Sequence, residues 1–240
     1  MLYLVTFGRT YPNSYRRNWA PTIVEDMDFV TKERSNLIST FERIGPDAPT
    51  LCEGWDTEDL LRHMVTREIY PHITLAAKVP WNFSDAIREK NDHLETASFD
   101  ELLDIYRKGP QKYSPLQVSA LNRAFNTLEY VIHHEDIRRA QTPELGRVLD
   151  DEDQKAIWGS LKTTGQVSFA MAPVRIILRS PEHGEFTALT TKRHENAVTI
   201  VGTPLELALY TFGRSVAQVE LEGDPEHVEK VKGMKNTPDE

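Results

Sequence analysis

Residues 115–140 read PLQVSALNRAFNTLEYVIHHEDIRRA, and this stretch predicts one long helix. Apolar side chains recur in it at the three-to-four spacing that lines one face of a helix. These apolar positions are Leu121, Phe125, Leu128, Val131 and Ile132. The segment TPELG at 142–146 then closes the helix, because proline and glycine interrupt helical backbone.

Upstream of this stretch, the chain predicts a set of shorter helices. Apolar residues at helical spacing indicate the first, which GPDAP at 45–49 ends. Asp56 or Thr57 can cap the second, since a short polar side chain there accepts a hydrogen bond from the first turn. We expect these helices at 26–43, from about 57 to 70, at 84–95 and at 99–108.

Downstream of about Asp150, strand-like runs replace the long helices. Residues 174–178 are β-branched and apolar, and AVTIV at 197–201 reads as a strand that ends at a glycine. Thr203 begins a further helix as its cap, with Glu206 as the capping-box partner. The remaining elements are expected to be a helix near 151–163, strands at 186–191 and 216–221, and a final short helix.

The order of these elements predicts an α+β fold: an N-terminal four-helix bundle followed by a small C-terminal α/β domain with a mixed sheet. Residues 1–22 have no clear period and are interpreted as an N-terminal extension. We expect the bundle to occupy 23–150 and the C-terminal α+β domain to occupy 151–240.

Composition excludes several classes of function. The net charge of −9 and pI of about 5.4 disfavour nucleic acid as a partner, because an acidic chain repels phosphate. No apolar run approaches the roughly 20 residues that span a bilayer, and the apolar start lacks the features of a signal peptide. The single cysteine, Cys52, excludes an internal disulfide and is interpreted as a small buried residue rather than a nucleophile. We expect a cytoplasmic protein.

Glu129 and His133 are the residues of the long helix that indicate chemistry. They lie four positions apart, so both side chains project from one face. A carboxylate and an imidazole placed in this way can share a divalent ion, and His63 in the apolar stretch LLRHMV is the best candidate for a third ligand. Three protein ligands leave positions open for water or substrate, as in catalytic zinc sites.

Other interpretations of these residues stay open. Glu129 and His133 could be a plain surface pair, and His63 could be a hydrogen-bonded core residue. His134 and Glu135 could offer ligands on an adjacent face of the helix. Asp136 could orient a ligand imidazole or simply pair with Arg139.

Two segments resemble the actinobacterial mycothiol-dependent maleylpyruvate isomerase family. The first is GPDAPTLCEGWDTEDLLRH at 45–63, and the second is EYVIHHEDIRRA at 129–140. The resemblance implies a DinB-like bundle whose metal ligands fall on His63, Glu129 and His133. It is closest to an uncharacterised metal-binding branch of the family.

A third segment, GTPLEL at 202–207 continued by FGR at 212–214, resembles the C-terminal motif of that family. The resemblance implies that Arg214 handles substrate, as a fixed cation for a carboxylate. Arg214 could instead be a cation near a helix C-terminus or a member of a salt bridge. Arg67 and Glu68 match a family Arg–Glu pair. They could line the same cavity as the metal ligands, but we favour a solvated face of their helix.

The resemblance also implies a function. It implies Zn²⁺ or another divalent metal as cofactor and mycothiol, a low-molecular-weight thiol, as co-substrate. The metal would then activate the thiol for isomerisation or thiol transfer on a small-molecule substrate. The alternative is a metal-dependent binding or sensor module without turnover, and a third option is a purely structural metal.

Overall fold

The computed structural model describes residues 28–70, 85–109, 120–142, 146–188 and 195–235. The expected extension at 1–22 lies outside these residues. The same is true of the first positions of the helices expected at 26–43 and 115–140, and of the last positions of the strand expected at 186–191.

Helices make up the described part of the N-terminal half. They are α1 (Phe29–Ile44), α2 (Thr57–Ile69), α3 (Asp85–Thr96), α4 (Phe99–Lys108) and α5 (Ala120–Gln141). Helix α1 packs against α5, and α2 packs against α4, which gives the expected four-helix bundle with α3 beside α2. In its core, Phe41 meets Phe99 and Tyr106 edge-on, at centroid distances of 6.5 and 6.3 Å.

Local sequence fixes the end of α1 and the start of α2. Gly45 adopts a φ of 83°, which L residues other than glycine rarely accept, and α1 stops there. Asp56 is the cap of α2 and forms a capping box with Asp59. Thr57, the other expected cap, instead donates its hydroxyl to the carbonyl of Pro46 at 2.6 Å and so fastens the intervening loop.

Helix α5 contributes to two hydrophobic cores. Tyr130 and Ile137 pack into the bundle core. Leu128, Val131 and Ile132 pack into a second core formed with the C-terminal half. Of the apolar face expected for this helix, Leu128, Val131 and Ile132 therefore lie against the sheet-bearing half, whereas Phe125 is exposed. The two halves share one long element.

The described part of the C-terminal half combines three helices with a four-stranded mixed sheet in the order β2-β1-β3-β4. Strand β1 pairs parallel to β3, and β2 and β4 are antiparallel edges. Ile176, Leu178, Val198 and Ile200 are fully buried on these central strands. The elements are α6 (Asp151–Thr164), a 3₁₀ turn (Gly165–Phe169), β1 (Arg175–Ser180), β2 (Gly184–Thr187), β3 (Ala197–Val201), α7 (Pro204–Thr211), β4 (Glu220–Gly223) and α8 (Pro225–Lys235).

The strand expected at 216–221 is displaced along the chain. Strand β4 covers Glu220–Gly223 because the preceding backbone is already hydrogen-bonded elsewhere. The Ala217 amide donates to the carbonyl of Arg214, and the Gln218 amide donates to the Glu206 carboxylate at 2.7 Å. These groups are therefore not available to a sheet partner.

The expected α+β class is confirmed by this architecture. The division of the chain at about residue 150 stays a prediction, because α5 belongs to both cores. None of the helices in the described ranges combines the length and the hydrophobicity needed to cross a membrane.

Candidate metal centre

His63 lies on the second turn of α2, at the outer side of the candidate site. Its ring stands beside that of Trp55, with centroids 5.2 Å apart and planes inclined by 49°. The His63 side chain is 34% exposed, so the site opens to solvent at this position. Trp55 belongs to the loop before α2 and is itself exposed.

Glu129 and His133 leave α5 on one face, one helical turn apart. Nε2 of His133 lies 3.3 Å from Oε2 of Glu129. Nε2 of His63 lies 3.9 Å from the same carboxylate oxygen, and the two imidazole rings meet edge-on with centroids 5.1 Å apart. Side chains of α2 reach α5 at this point, since both His63 and Arg67 lie close to Oε2 of Glu129.

These separations fit a shared ion. One ligand atom from each of His63, Glu129 and His133 lies within 4.8 Å of the other two. Ligand atoms about 2.1 Å from one tetrahedral zinc ion stand about 3.4 Å apart. The 3.3 Å between His133 and Glu129 is close to this value, and the 3.9 Å between His63 and Glu129 is somewhat longer. The donor set of two imidazoles and one carboxylate also has the chemistry of catalytic zinc sites.

Asp136 fixes the orientation of His133. Its Oδ2 lies 2.9 Å from Nδ1 of His133, and the Asp136 side chain is fully buried. A carboxylate only accepts hydrogen bonds, so Nδ1 donates to it, and in the neutral imidazole Nε2 then carries the lone pair. This is the tautomer that binds a metal through Nε2.

Arg214 holds Asp136 from the C-terminal half. Its Nε and Nη2 donate to the two Asp136 oxygens at 2.9 and 2.6 Å, and Nη1 donates to the carbonyl of Phe212 at 2.7 Å. The two-pronged contact fits the planar geometry of both groups. Of the two roles weighed for Asp136, the contact with His133 is present, whereas Arg139 pairs with Glu135 and Glu206 instead.

Cys52 lies between these groups and is half-buried. Its Sγ is 3.3 Å from Oδ2 of Asp136, 3.5 Å from Nη2 of Arg214 and 4.0 Å from Nδ1 of His133. Cys52, His133 and Asp136 are thus a second group of possible ligands. The Arg214 guanidinium already binds both Asp136 oxygens, which leaves this carboxylate less able to bind an ion.

Arg67 lines the candidate site, in contrast to the solvated face expected for it. Its Nε lies 3.1 Å from Oε2 of Glu129, and its guanidinium also donates to Asn126 at 3.3 Å. Glu68 faces the other way, into an ion pair with Arg34 at 2.8 Å. The expectation failed because the bundle covers this face of α2.

The charges around the site shift the pKa values of its groups. Burial raises the pKa of Glu129, but His133, His63 and Arg67 outweigh it and lower the pKa well below its usual range. Burial lowers the pKa of His133, yet hydrogen bonding to Asp136, Cys52 and Glu129 raises it to about 10. The carboxylates therefore create a negative potential that favours a positive charge at this point.

His134 and Glu135 do not point into the candidate site. Nδ1 of His134 donates to Glu33 of α1 at 2.9 Å, and its Nε2 lies 2.9 Å from the hydroxyl of Thr40. Glu135 is fully buried and accepts from Arg139 and Arg147, both at 2.6 Å. Both residues belong to a buried ionic cluster that joins α1, α5 and the segment before α6.

The structure thus brings His63, Glu129 and His133 together. Arg214 binds Asp136, which in turn contacts His133. Sequence reasoning missed the contacts of Cys52 and favoured the wrong one of two roles for Arg67. Cys52 precedes Trp55 by three residues in the LCEGW segment, and Arg67 follows His63 by one helical turn. Closeness in sequence to these motif residues is the signal that could have identified both.

Comparison with known proteins gives a likeness in fold. A crystal structure of the mycothiol-dependent maleylpyruvate isomerase superposes with a TM-score of 0.51 at 14% identity, covering 82% of this chain and 91% of that chain. A histidine-to-alanine mutant of the isomerase gives a TM-score of 0.50 at 13% identity, with the same coverage. No family model matches the sequence, and no curated protein matches it either. At this identity the likeness establishes the fold alone.

Proposed function

We propose that this chain binds one divalent metal ion, zinc in the first instance, through His63, Glu129 and His133 and uses it in thiol-dependent catalysis. The observation that carries the proposal is the convergence of three ligand atoms within 4.8 Å. The contact of His133 with Asp136 supports it, because metal-binding histidines regularly donate their second nitrogen to a carboxylate.

The exposure of the site supports catalysis over a closed structural metal. His63 is partly exposed, whereas His133 is only 10% exposed. The three side chains are therefore accessible to solvent from the side of His63. Structural zinc sites are closed by four protein ligands, and catalytic ones keep a position for water or substrate. Trp55 and Arg67 line the open side and would contact whatever enters.

A low-molecular-weight thiol is the proposed co-substrate, with mycothiol as the first candidate because the structural neighbour is named for its dependence on it. The chemistry that zinc supplies when bound is a lowered pKa for a coordinated thiol, which makes the thiol nucleophilic near neutral pH. A thiolate that adds to an activated double bond, permits rotation and then leaves gives cis–trans isomerisation. Attack on an electrophilic carbon with loss of its leaving group gives thiol transfer instead.

Arg214 has a positioning role in this proposal. Two of its nitrogens bind Asp136 and a third binds the carbonyl of Phe212. A substrate carboxylate, the partner implied by the family resemblance, would have to compete with Asp136 for the same guanidinium edge. Arg214 therefore acts through Asp136 on the orientation of His133.

The test is a titration of the cobalt-loaded protein with a low-molecular-weight thiol, followed by absorption spectroscopy. We expect a thiolate-to-cobalt charge-transfer band that saturates with added thiol. Because Cys52 lies near the site, the same titration is performed on Cys52→Ser, which must retain the band if the added thiol is its source. His133→Ala serves as the variant in which the band is lost.

Two results would overturn the proposal in different ways. Cobalt that binds normally but shows no change with any thiol would favour a metal-dependent binding module without turnover. Failure of the wild-type protein to retain any metal would show that His63, Glu129 and His133 do not form a metal site. His134→Ala is the matched control, because this histidine is adjacent in sequence but bonded to Glu33 and Thr40.

A further inference from the structure

A second cluster of potential ligands lies in the C-terminal half. It consists of Asp151 at the start of α6 and of Glu182 and His183 in the turn between β1 and β2. One ligand atom from each lies within 4.8 Å of the other two. Helix α6 and the β1–β2 turn thus present an imidazole and two carboxylates to one point.

His183 is the residue that points to a ligand. Its side chain is only 8% exposed, and its Nε2 has no hydrogen-bond partner among the described residues. A buried polar nitrogen without a partner costs free energy, so it calls for an explanation such as a bound ion. The atom faces Oδ1 of Asp151, which is itself largely exposed.

The separation between these atoms favours an ion over a direct bond. Nε2 of His183 lies 3.6 Å from Oδ1 of Asp151. A hydrogen bond between nitrogen and oxygen measures about 2.9 Å. Two ligands of one tetrahedral zinc ion stand about 3.4 Å apart, given bonds of about 2.1 Å.

The charges of the cluster match a divalent cation. Asp151 and Glu182 contribute two negative charges, and within the described ranges neither pairs with a lysine or an arginine. Imidazole with carboxylate suits zinc and similar transition metals better than magnesium or calcium, which prefer oxygen alone.

We propose that Asp151, Glu182 and His183 form a second site for a divalent transition metal, independent of the centre in the bundle. An ion there would clamp the first turn of α6 to the β1–β2 turn. The site would stabilise the C-terminal half rather than take part in catalysis, since it lies on elements that carry none of the residues of the first centre.

The experiment is equilibrium dialysis of the full chain against zinc, with metal counted by mass spectrometry. We expect two equivalents for the wild type, and one for His183→Ala. Asp151→Asn is the second variant, because this exposed position tolerates an amide. It should weaken binding of the second equivalent, since a neutral amide is a poorer ligand for a transition metal than a carboxylate. His93→Ala is the matched control, since His93 is an exposed histidine beside a single carboxylate, Glu101.

A parallel titration of the double variant His63→Ala/His133→Ala separates the two sites. One equivalent should remain there, and it should disappear when His183→Ala is added. A wild-type protein that binds a single equivalent, lost in the double variant, would overturn the second site and leave the first intact. Two equivalents that persist in His183→Ala would overturn it as well.

Discussion

Nδ1 of His133 lies 2.9 Å from Oδ2 of Asp136, three residues further along the same helix. Because Asp136 is fully buried, this contact holds the imidazole in one orientation and directs its Nε2 toward Glu129. The neighbouring pair in the sequence, His134 and Glu135, is turned away from the site. The helical period therefore directs His133 and Asp136 to the candidate site. It directs His134 and Glu135 to the buried ionic cluster.

Replacing Asp136 with asparagine should weaken metal binding about 10–100-fold, the usual effect of losing a carboxylate that orients a ligand histidine. Competition with a chromophoric chelator measures the affinity. Asp104→Asn, at an exposed position of α4, is the control and should change nothing. An unaltered affinity in Asp136→Asn would show that His133 is not held by this contact in the metal-bound protein.

The metal content of purified protein should depend on His63 and His133 but not on His134. Replacing either of the first two with alanine removes one of three ligands, and the zinc bound in the bundle should be lost on dialysis. His134→Ala should retain it, although the protein will be less stable. Equal loss in all three variants would refute the ligand assignment.

Arg214 and Asp136 should be coupled in their effect on metal affinity. If Arg214 acts through Asp136, the double variant Arg214→Ala/Asp136→Asn should weaken binding less than the sum of the single variants. Contacting residues typically show coupling of about 0.5–3 kcal/mol in such cycles. Additive effects would favour the other role of Arg214, as a direct contact for substrate.

The buried cluster around Glu33 should make the fold sensitive to acid. Burial alone would raise the pKa of Glu33, but hydrogen bonds from His134 and Arg147 lower it from 4.5 to about 2. A carboxylate with a lowered pKa stabilises the fold above pH 4.5, and this contribution is lost as the pH falls toward 2. Urea unfolding between about pH 7 and pH 2.5 measures the effect.

The variant Glu33→Gln should be destabilised by roughly 3–5 kcal/mol at neutral pH, because it leaves a buried arginine short of a partner. It should also lose much of the acid sensitivity. Glu42→Gln on the same helix is the control, since its ion pair with Arg107 is exposed to solvent and should contribute little to stability. Identical pH profiles for Glu33→Gln and the wild type would contradict this account.

Two glycines should respond to alanine with opposite signs. Gly45 has a φ of 83° and a ψ of −174° at the end of α1, so Gly45→Ala should destabilise the protein by about 1–3 kcal/mol through backbone strain. Gly159 lies inside α6, is exposed, and has open space where the Cβ of an alanine would stand, so Gly159→Ala should stabilise by roughly 0.5–1 kcal/mol. Thermal unfolding of both variants tests the pair.

Much of the helical half could be predicted because its signals are local. The end of α1 at Gly45 and the capping box at Asp56 depend on residues within one turn of each other. The start of β4 could not be predicted in this way. The Gln218 amide is engaged by Glu206, twelve residues away, and this contact keeps the preceding segment out of the sheet.

The sequence by itself determined that Glu129 and His133 share a face of one helix, because a spacing of four residues and the helical period leave no other arrangement. Only the tertiary structure decided that His63 joins them, and that Arg214 reaches Asp136 across 78 residues of chain. Such contacts arise from the packing of whole helices and domains, in which many side chains together set the distance between two. No local pattern contains that information.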